Sequence, residues 1–223
     1  MQIIPALLEK DLDIFEKKLK LYLSIFKSVH IDIADNTLVH NSTLSIADLT
    51  KTPLIRTLYI DLHLMTENID KNLEQIKKLT ETSLKIKNIF IPYKTFPDLN
   101  SYRSFFNLNN IYIYIDPNDE IETVLQLYNK RSDLKKILVL TVNPGFQGSP
   151  FIPYVLDNLT KFYEKDTSQI YLDGGINDKS AQYIRDFNNL ISAVCVGSYF
   201  ASSKSKTELT SKVHNLKKLL TTS

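Results

Sequence analysis

The sequence predicts a (β/α)8 barrel, and three observations carry that prediction. Eight short β-type segments recur along the chain, and a helical or helix-like segment follows each. No linker, low-complexity tract or exact repeat interrupts the series. The 223 residues suit one barrel domain over 1–223, on the short side of the ~250 typical of this architecture. A doubly wound open sheet is the competing architecture, because periodicity alone does not count strands.

The elements follow in order. Residues 3–6 form a short apolar start. Leu12, Phe15, Leu19, Tyr22 and Phe26 then recur at helical spacing, opposite a Lys-rich face. Residues 29–33 and 58–64 read as strands, and the connection between them is the least regular. Ile69, Leu73, Ile76 and Leu79 mark the next helix. A strand at 89–91 precedes a helix-like segment near 96–106. Residues 111–115 are strongly β, and a helix covers 120–128. The clearest buried strand is 137–142, and its helix, 152–163, has Pro153 in the first turn. Strands at 170–172 and 193–196 flank a helix near 179–187. A last helix runs over 207–220, with Leu209, Val213, Leu216 and Leu220 on one face.

Composition excludes several classes. Hydrophobic residues make up 43% and charged residues 23%, which is ordinary for a globular protein and excludes a largely disordered chain. The net charge of +2 shows no basic excess of the kind nucleic acid attracts. A single cysteine, Cys195, excludes an intramolecular disulfide framework and a cysteine-built zinc site, and predicts a reducing, cytoplasmic setting. Glu9, Lys10 and Asp11 interrupt the N-terminal apolar stretch too early for a signal-peptide core. The run 137–142 is too short to span a bilayer, so no membrane partner is expected.

Glycine is the informative count. There are five, where average usage would give about 16. All lie beyond residue 144: Gly145, Gly148, Gly174, Gly175 and Gly197. A chain this sparing keeps glycine where close backbone approach or a positive φ requires it.

Five motifs bear on chemistry. In 29–33, His30 and Asp32 are two apart and project to one face. Alone, that pair reads equally well as a core histidine beside a capping aspartate. In 59–65, Asp61 and His63 again share a face, and a second histidine at a second strand end makes coincidence a poorer account. Asp173 ends a short apolar strand, with Gly174 and Gly175 opening the next loop. The segment 141–149, with Gly145, Phe146, Gln147 and Gly148, and the turn Gly197–Ser198 could direct backbone N–H groups at a phosphate. Imidazole and carboxylate ligands suit Zn, Fe, Mn or Co. His40 lies in polar loop sequence and His214 in the Lys-rich last helix, so both are expected at the surface.

At this point the sequence resembles the ribulose-phosphate 3-epimerase family. The matching segments are IIPALLEKD (3–11), HIDIAD (30–35), DLHLM (61–65), LTVNPGFQGSPFIP (140–153), LDGGIN (172–177) and VGSYF (196–200). The resemblance implies a barrel binding one divalent metal ion through His30, Asp32, His63 and Asp173. It implies that Asp32 and Asp173 are the catalytic acid/base pair, passing a proton at C3 through a cis-enediolate. D-ribulose 5-phosphate and D-xylulose 5-phosphate would then interconvert. It places substrate and phosphate contacts at His63, Gly145, Phe146, Gln147, Gly148, Gly174, Gly175, Gly197 and Ser198. It also implies a small phosphorylated ketose as substrate and a homo-oligomer. The related allulose-6-phosphate 3-epimerase shares GFxGxPFIP and is the alternative enzyme. A phosphosugar-binding barrel without catalysis is the alternative from another class.

The chain departs from the family's pattern at several positions. Ala6 stands where Ser is usual, and Ala34-Asp35-Asn36 replaces Met-Asp-Gly. Of the usual methionines only Met65 remains, with Ala34 and Leu140 at two other such positions. A usual His near the end of the fourth strand is replaced around Ile91-Pro92.

Overall fold

The computed structural model describes residues 1–80, 84–95, 99–106, 108–130, 134, 136–163 and 169–221. Its strands are β1 (Gln2–Leu7), β2 (Ser28–Ala34), β3 (Tyr59–Met65), β4 (Lys85–Pro92), β5 (Ile111–Ile115), β6 (Lys136–Leu140), β7 (Gln169–Asp173) and β8 (Ile191–Val196). They close into a barrel in sequence order, β1 through β8. The neighbouring pairs that can be followed residue by residue are parallel. The helices between them are α1 (Leu12–Leu23), α2 (Ile46–Leu49), α3 (Ile69–Thr80), α4 (Leu99–Phe106), α5 (Ile121–Asn129), α6 (Leu159–Tyr163) and α7 (Ala181–Ile184), and α8 (Ser198–Ala201) and α9 (Lys206–Thr221) follow β8. The chain also divides into two compact units, Pro5–Tyr112 and Met1–Ile4 with Ile113–Ser223.

In the Pro5–Tyr112 unit, β2 and β3 are buried along both faces after their first residue. Both-face burial is expected of parallel strands covered by helices, and it explains their near-continuous apolar composition. Helix α1 starts where Asp11 caps it, accepting from the Ile14 N–H at 2.9 Å. It buries Phe15, Leu19 and Tyr22, each worth about 1.5–3 kcal/mol as an upper estimate. The helical spacing extends to Phe26, but the helix stops at Leu23, with Ser24 as its C-cap. The Phe26 ring instead meets the edge of Tyr22 at 6.2 Å. The irregular connection after β2 contains α2, whose Ser45 and Asp48 form a reciprocal capping box, and a 3-10 turn at Pro53–Thr57.

In the other unit, β5 has the bounds its sequence predicts, whereas β6 ends at Leu140. Thr141 and Val142 already belong to the following loop. The helix expected over 152–163 is a 3-10 segment, Pro153–Asn158, followed by the short α6. Pro153 stands at its first turn as predicted. The helix expected near 179–187 begins at Ala181, because the Asn177 side chain accepts from the Lys179 and Ser180 N–H groups and holds them in a turn. In the helix-like segment near 96–106, α4 occupies Leu99–Phe106, and residues 96–98 lie outside the described residues. Leu209, Leu216 and Leu220 form the buried stripe of α9.

Candidate functional site

Strand pairing puts the candidate side chains in rows. Across β2, β3 and β4, Asp32 is the register partner of His63, and His63 of Phe90. One step toward the strand N-termini, Ala6 partners His30, His30 partners Asp61, and Asp61 partners Asn88. His30, Asp61 and His63 are at most 1% exposed and Asp32 is 7% exposed, so water does not neutralise this cluster. Two aromatic contacts pack the imidazoles: the His30 ring lies 5.6 Å from that of His63 and 6.2 Å from that of Phe90.

Asp32 is the hub. His63 Nδ1 lies 2.8 Å from its Oδ1, and His30 Nε2 lies 3.5 Å from the same oxygen. Burial alone would push the Asp32 carboxyl up. Hydrogen bonds and charge from His30 and His63 outweigh burial and hold it well below the usual carboxylate range. The backbone at Asp32 is fixed as well. The Thr43 hydroxyl donates to the Asp32 carbonyl at 2.9 Å and accepts from the Ala34 N–H at 3.0 Å.

Asp173 ends β7, with Leu140 and Cys195 as its register partners. His30, Asp32, His63 and Asp173 each offer a ligand atom, and these atoms lie within 4.8 Å of one another. Three of the four residues are buried, and Asp173 is half-buried. Two imidazole nitrogens and two carboxylate oxygens at that spacing fit a divalent metal ion. His40 and His214 are exposed, as expected.

The glycine loops are held by specific contacts. The Thr141 hydroxyl donates to the carbonyls of Asp173 and Gly174, tying the loop after β6 to the end of β7. Gly174 has φ +108, and a Cβ there would lie 2.4 Å from Val142 Cγ2. No side chain fits, which accounts for one of the five glycines. Gly145 is buried, whereas Phe146, Gln147 and Gly148 are exposed along their loop. Ser198 begins α8 after Gly197 and lines a surface depression with Asn177, Asp178, Lys179 and Tyr199.

Three features escaped the sequence reading. Asp61 shares a face with His63 but was given no role, and Asn88 went unnoticed inside an apolar strand. Its only signal was a polar residue at an inward position of KNIFIP. Lys179 supplies a cation beside Ser198, where the motifs themselves hold no Arg or Lys. Asn36, at the family's usual glycine position, takes φ 63. Asn tolerates that left-handed conformation better than most side chains, so the turn survives the replacement.

Fold and site together define a barrel with a cluster of metal-type ligands at its strand ends. The model of the Ribulose-phosphate 3 epimerase family matches residues 2–200, and the chain belongs to that family. A ribulose-phosphate 3-epimerase of Methanocaldococcus jannaschii is 28% identical over 160 residues, covering 68% of this chain and 64% of that relative. One from Helicobacter pylori strain J99 is 25% identical over 213 residues, covering 92% of this chain and 93% of the relative. Among solved structures, 3-hexulose-6-phosphate synthase from Salmonella typhimurium aligns with a TM-score of 0.64 at 12% identity, covering 99% of this chain and 98% of that one. A tryptophan synthase chain from Mycobacterium tuberculosis aligns at 0.66 and 8%, covering 100% and 93%. At such identities the structural likeness speaks to the fold alone.

Proposed function

We propose that this protein is a ribulose-phosphate 3-epimerase, interconverting D-ribulose 5-phosphate and D-xylulose 5-phosphate. The observation that carries the reading is the four-residue cluster with Asp32 and Asp173 in it. Inverting a carbon beside a carbonyl needs a base on one side and an acid on the other. Asp32 and Asp173 take those roles: one removes the C3 proton, and the other returns a proton to the opposite face of the cis-enediolate. His30, Asp32, His63 and Asp173 would hold one divalent metal ion (Zn, Fe, Mn or Co), which when bound supplies Lewis-acid stabilisation of the developing negative charge.

The histidine neighbours of Asp32 favour its charged form. His63, beside Asp32, is assigned a substrate contact as well. The substrate phosphate is assigned to the backbone of Gly145, Phe146, Gln147, Gly148, Gly174, Gly175 and Gly197 and to Ser198, with Lys179 as a nearby cation. Residues 1–223 act as one barrel domain in this reading, and the family resemblance supports a homo-oligomer. The buried cysteine Cys195, outside any disulfide, accords with a cytoplasmic setting. Among the described residues, no helix is long and apolar enough to cross a membrane.

The test is turnover of ribulose 5-phosphate against allulose 6-phosphate by the metal-loaded protein, followed by NMR. Conversion of the pentose phosphate at the higher kcat/KM is expected. Preference for the hexose phosphate would replace the substrate assignment, and inertness toward both would leave a binding protein.

A further inference from the structure

We infer that Asp61, steadied by Asn88, is a positioning residue that orients His30 for a metal ion. The inference rests on the metal-site reading above and extends it to two residues that reading leaves idle.

The strand rows provide the geometry. Asp32 and His63 are register partners and touch at 2.8 Å, so they point to the same face. Residues two positions back on a strand point the same way. His30 and Asp61, themselves register partners, therefore share that face one row down. Asn88 completes the row on β4 and donates its amide N–H to Asp61 Oδ1 at 2.5 Å. His30 is 0% exposed, and Asp61 and Asn88 are each 1% exposed.

Chemistry makes this row unlike ordinary packing. A carboxylate taken out of water costs several kcal/mol unless hydrogen bonds and charge offset it. An aliphatic side chain would fill the same place at no such cost. Asp61 therefore has something to hold besides the Asn88 amide.

His30 is the neighbour Asp61 would serve. Its Nε2 faces Asp32 at 3.5 Å, which leaves Nδ1 as the second nitrogen. A metal-ligating histidine donates its second N–H to a carboxylate, carbonyl or water, which fixes the ring and raises its basicity. The neighbour of His30 on β3 is the Asp61 carboxyl, which can accept a hydrogen bond. Asp61 is therefore the acceptor assigned to the second N–H of His30, with Asn88 donating to Asp61 from β4. Phe90 packs against the imidazole and limits its tilt.

The experiment uses Asp61→Asn and Asn88→Ala, read two ways. Nitrogen-15 NMR of the metal-free protein reports which ring nitrogen of His30 carries a proton. Competition with a chelator reports the affinity for Zn²⁺. Wild type should carry a proton on His30 Nδ1. Asp61→Asn should disturb that proton and weaken Zn²⁺ binding by about 10–100-fold, with circular dichroism unchanged. Asn88→Ala should shift both readouts the same way but less, and it decides the matter if Asp61→Asn fails to fold. An undisturbed His30 Nδ1 signal with Zn²⁺ affinity within twofold of wild type would overturn the inference. If wild type binds no Zn²⁺ or other divalent ion, the metal-site reading fails, and the His30 signal alone then decides whether Asp61 positions the ring.

Discussion

The two compact units contribute different kinds of binding group. Pro5–Tyr112 contributes buried side chains, with His30, Asp32 and His63 carried on strands, and it contains no glycine. Ile113–Ser223 contributes Asp173 and all five glycines, so its candidate contacts are mostly loop backbone. In the first unit, precision comes from strand register, which sets ligand atoms by side-chain choice alone. In the second it comes from backbone conformation, where glycine is indispensable. A replacement in the first unit should therefore remove a ligand, and one in the second should deform a surface.

The largest effect is expected at the acid/base residues. Asp173→Asn should lower kcat by about 10²–10⁴-fold, the usual worth of a positioned proton-transfer group. Its thermal midpoint should stay close to wild type, because Asp173 is half-buried at a strand end. A kcat within tenfold of wild type would remove Asp173 from that role. Next, His63→Ala should abolish stoichiometric binding of divalent metal, measured by elemental analysis after gel filtration. Ser198→Ala should leave metal content intact and raise KM. If both variants lost metal equally, the contrast between the units would fail.

Two glycines sharpen the comparison further. Gly174→Ala combines positive φ with a clash against Val142, whereas Gly148 has φ +88 and nothing within 4 Å of an added Cβ. Gly148→Ala should cost about 1 kcal/mol of backbone strain. Gly174→Ala adds overpacking, for about 2–4 kcal/mol or more. Urea unfolding of both variants checks the order, and equal losses would mean that Val142 moves aside freely.

The smallest effect is at the loop clasp of the first unit. Asp35 accepts hydrogen bonds from the Thr37, Thr66 and Asn68 side chains. Burial would raise its carboxyl, but these bonds outweigh it and hold the group below the usual range. A depressed folded-state pKa stabilises the fold above the unfolded value of about 3.9 and ceases to do so as pH falls through the folded value. Asp35 is exposed, so Asp35→Ala should cost at most about 1 kcal/mol at pH 7. The gap to wild type should close below about pH 4. A gap independent of pH would assign the loss to packing.

Much of this was legible in the residues. The alternation of His30 with Asp32, and of Asp61 with His63, sets their shared face in the sequence itself, because a strand has period two. The scarcity of glycine pointed to the loops after β6, β7 and β8. Helix ends were less legible, since the early stop of α1 and the 3-10 turn at Pro153–Asn158 depend on local hydrogen bonds. The role of Asn88 was invisible because a lone amide in an apolar strand has meaning only through its register partner on β3. At Asn36 the residue type alone does not reveal the turn, whereas its φ of 63 shows the conformation usual for glycine kept by another residue.

The most direct test of the account is proton exchange at C3. The metal-loaded protein would be incubated with ribulose 5-phosphate in D₂O and followed by NMR. The account predicts xylulose 5-phosphate carrying deuterium at C3. A metal-loaded, folded protein that forms no epimer and exchanges no C3 proton would contradict it.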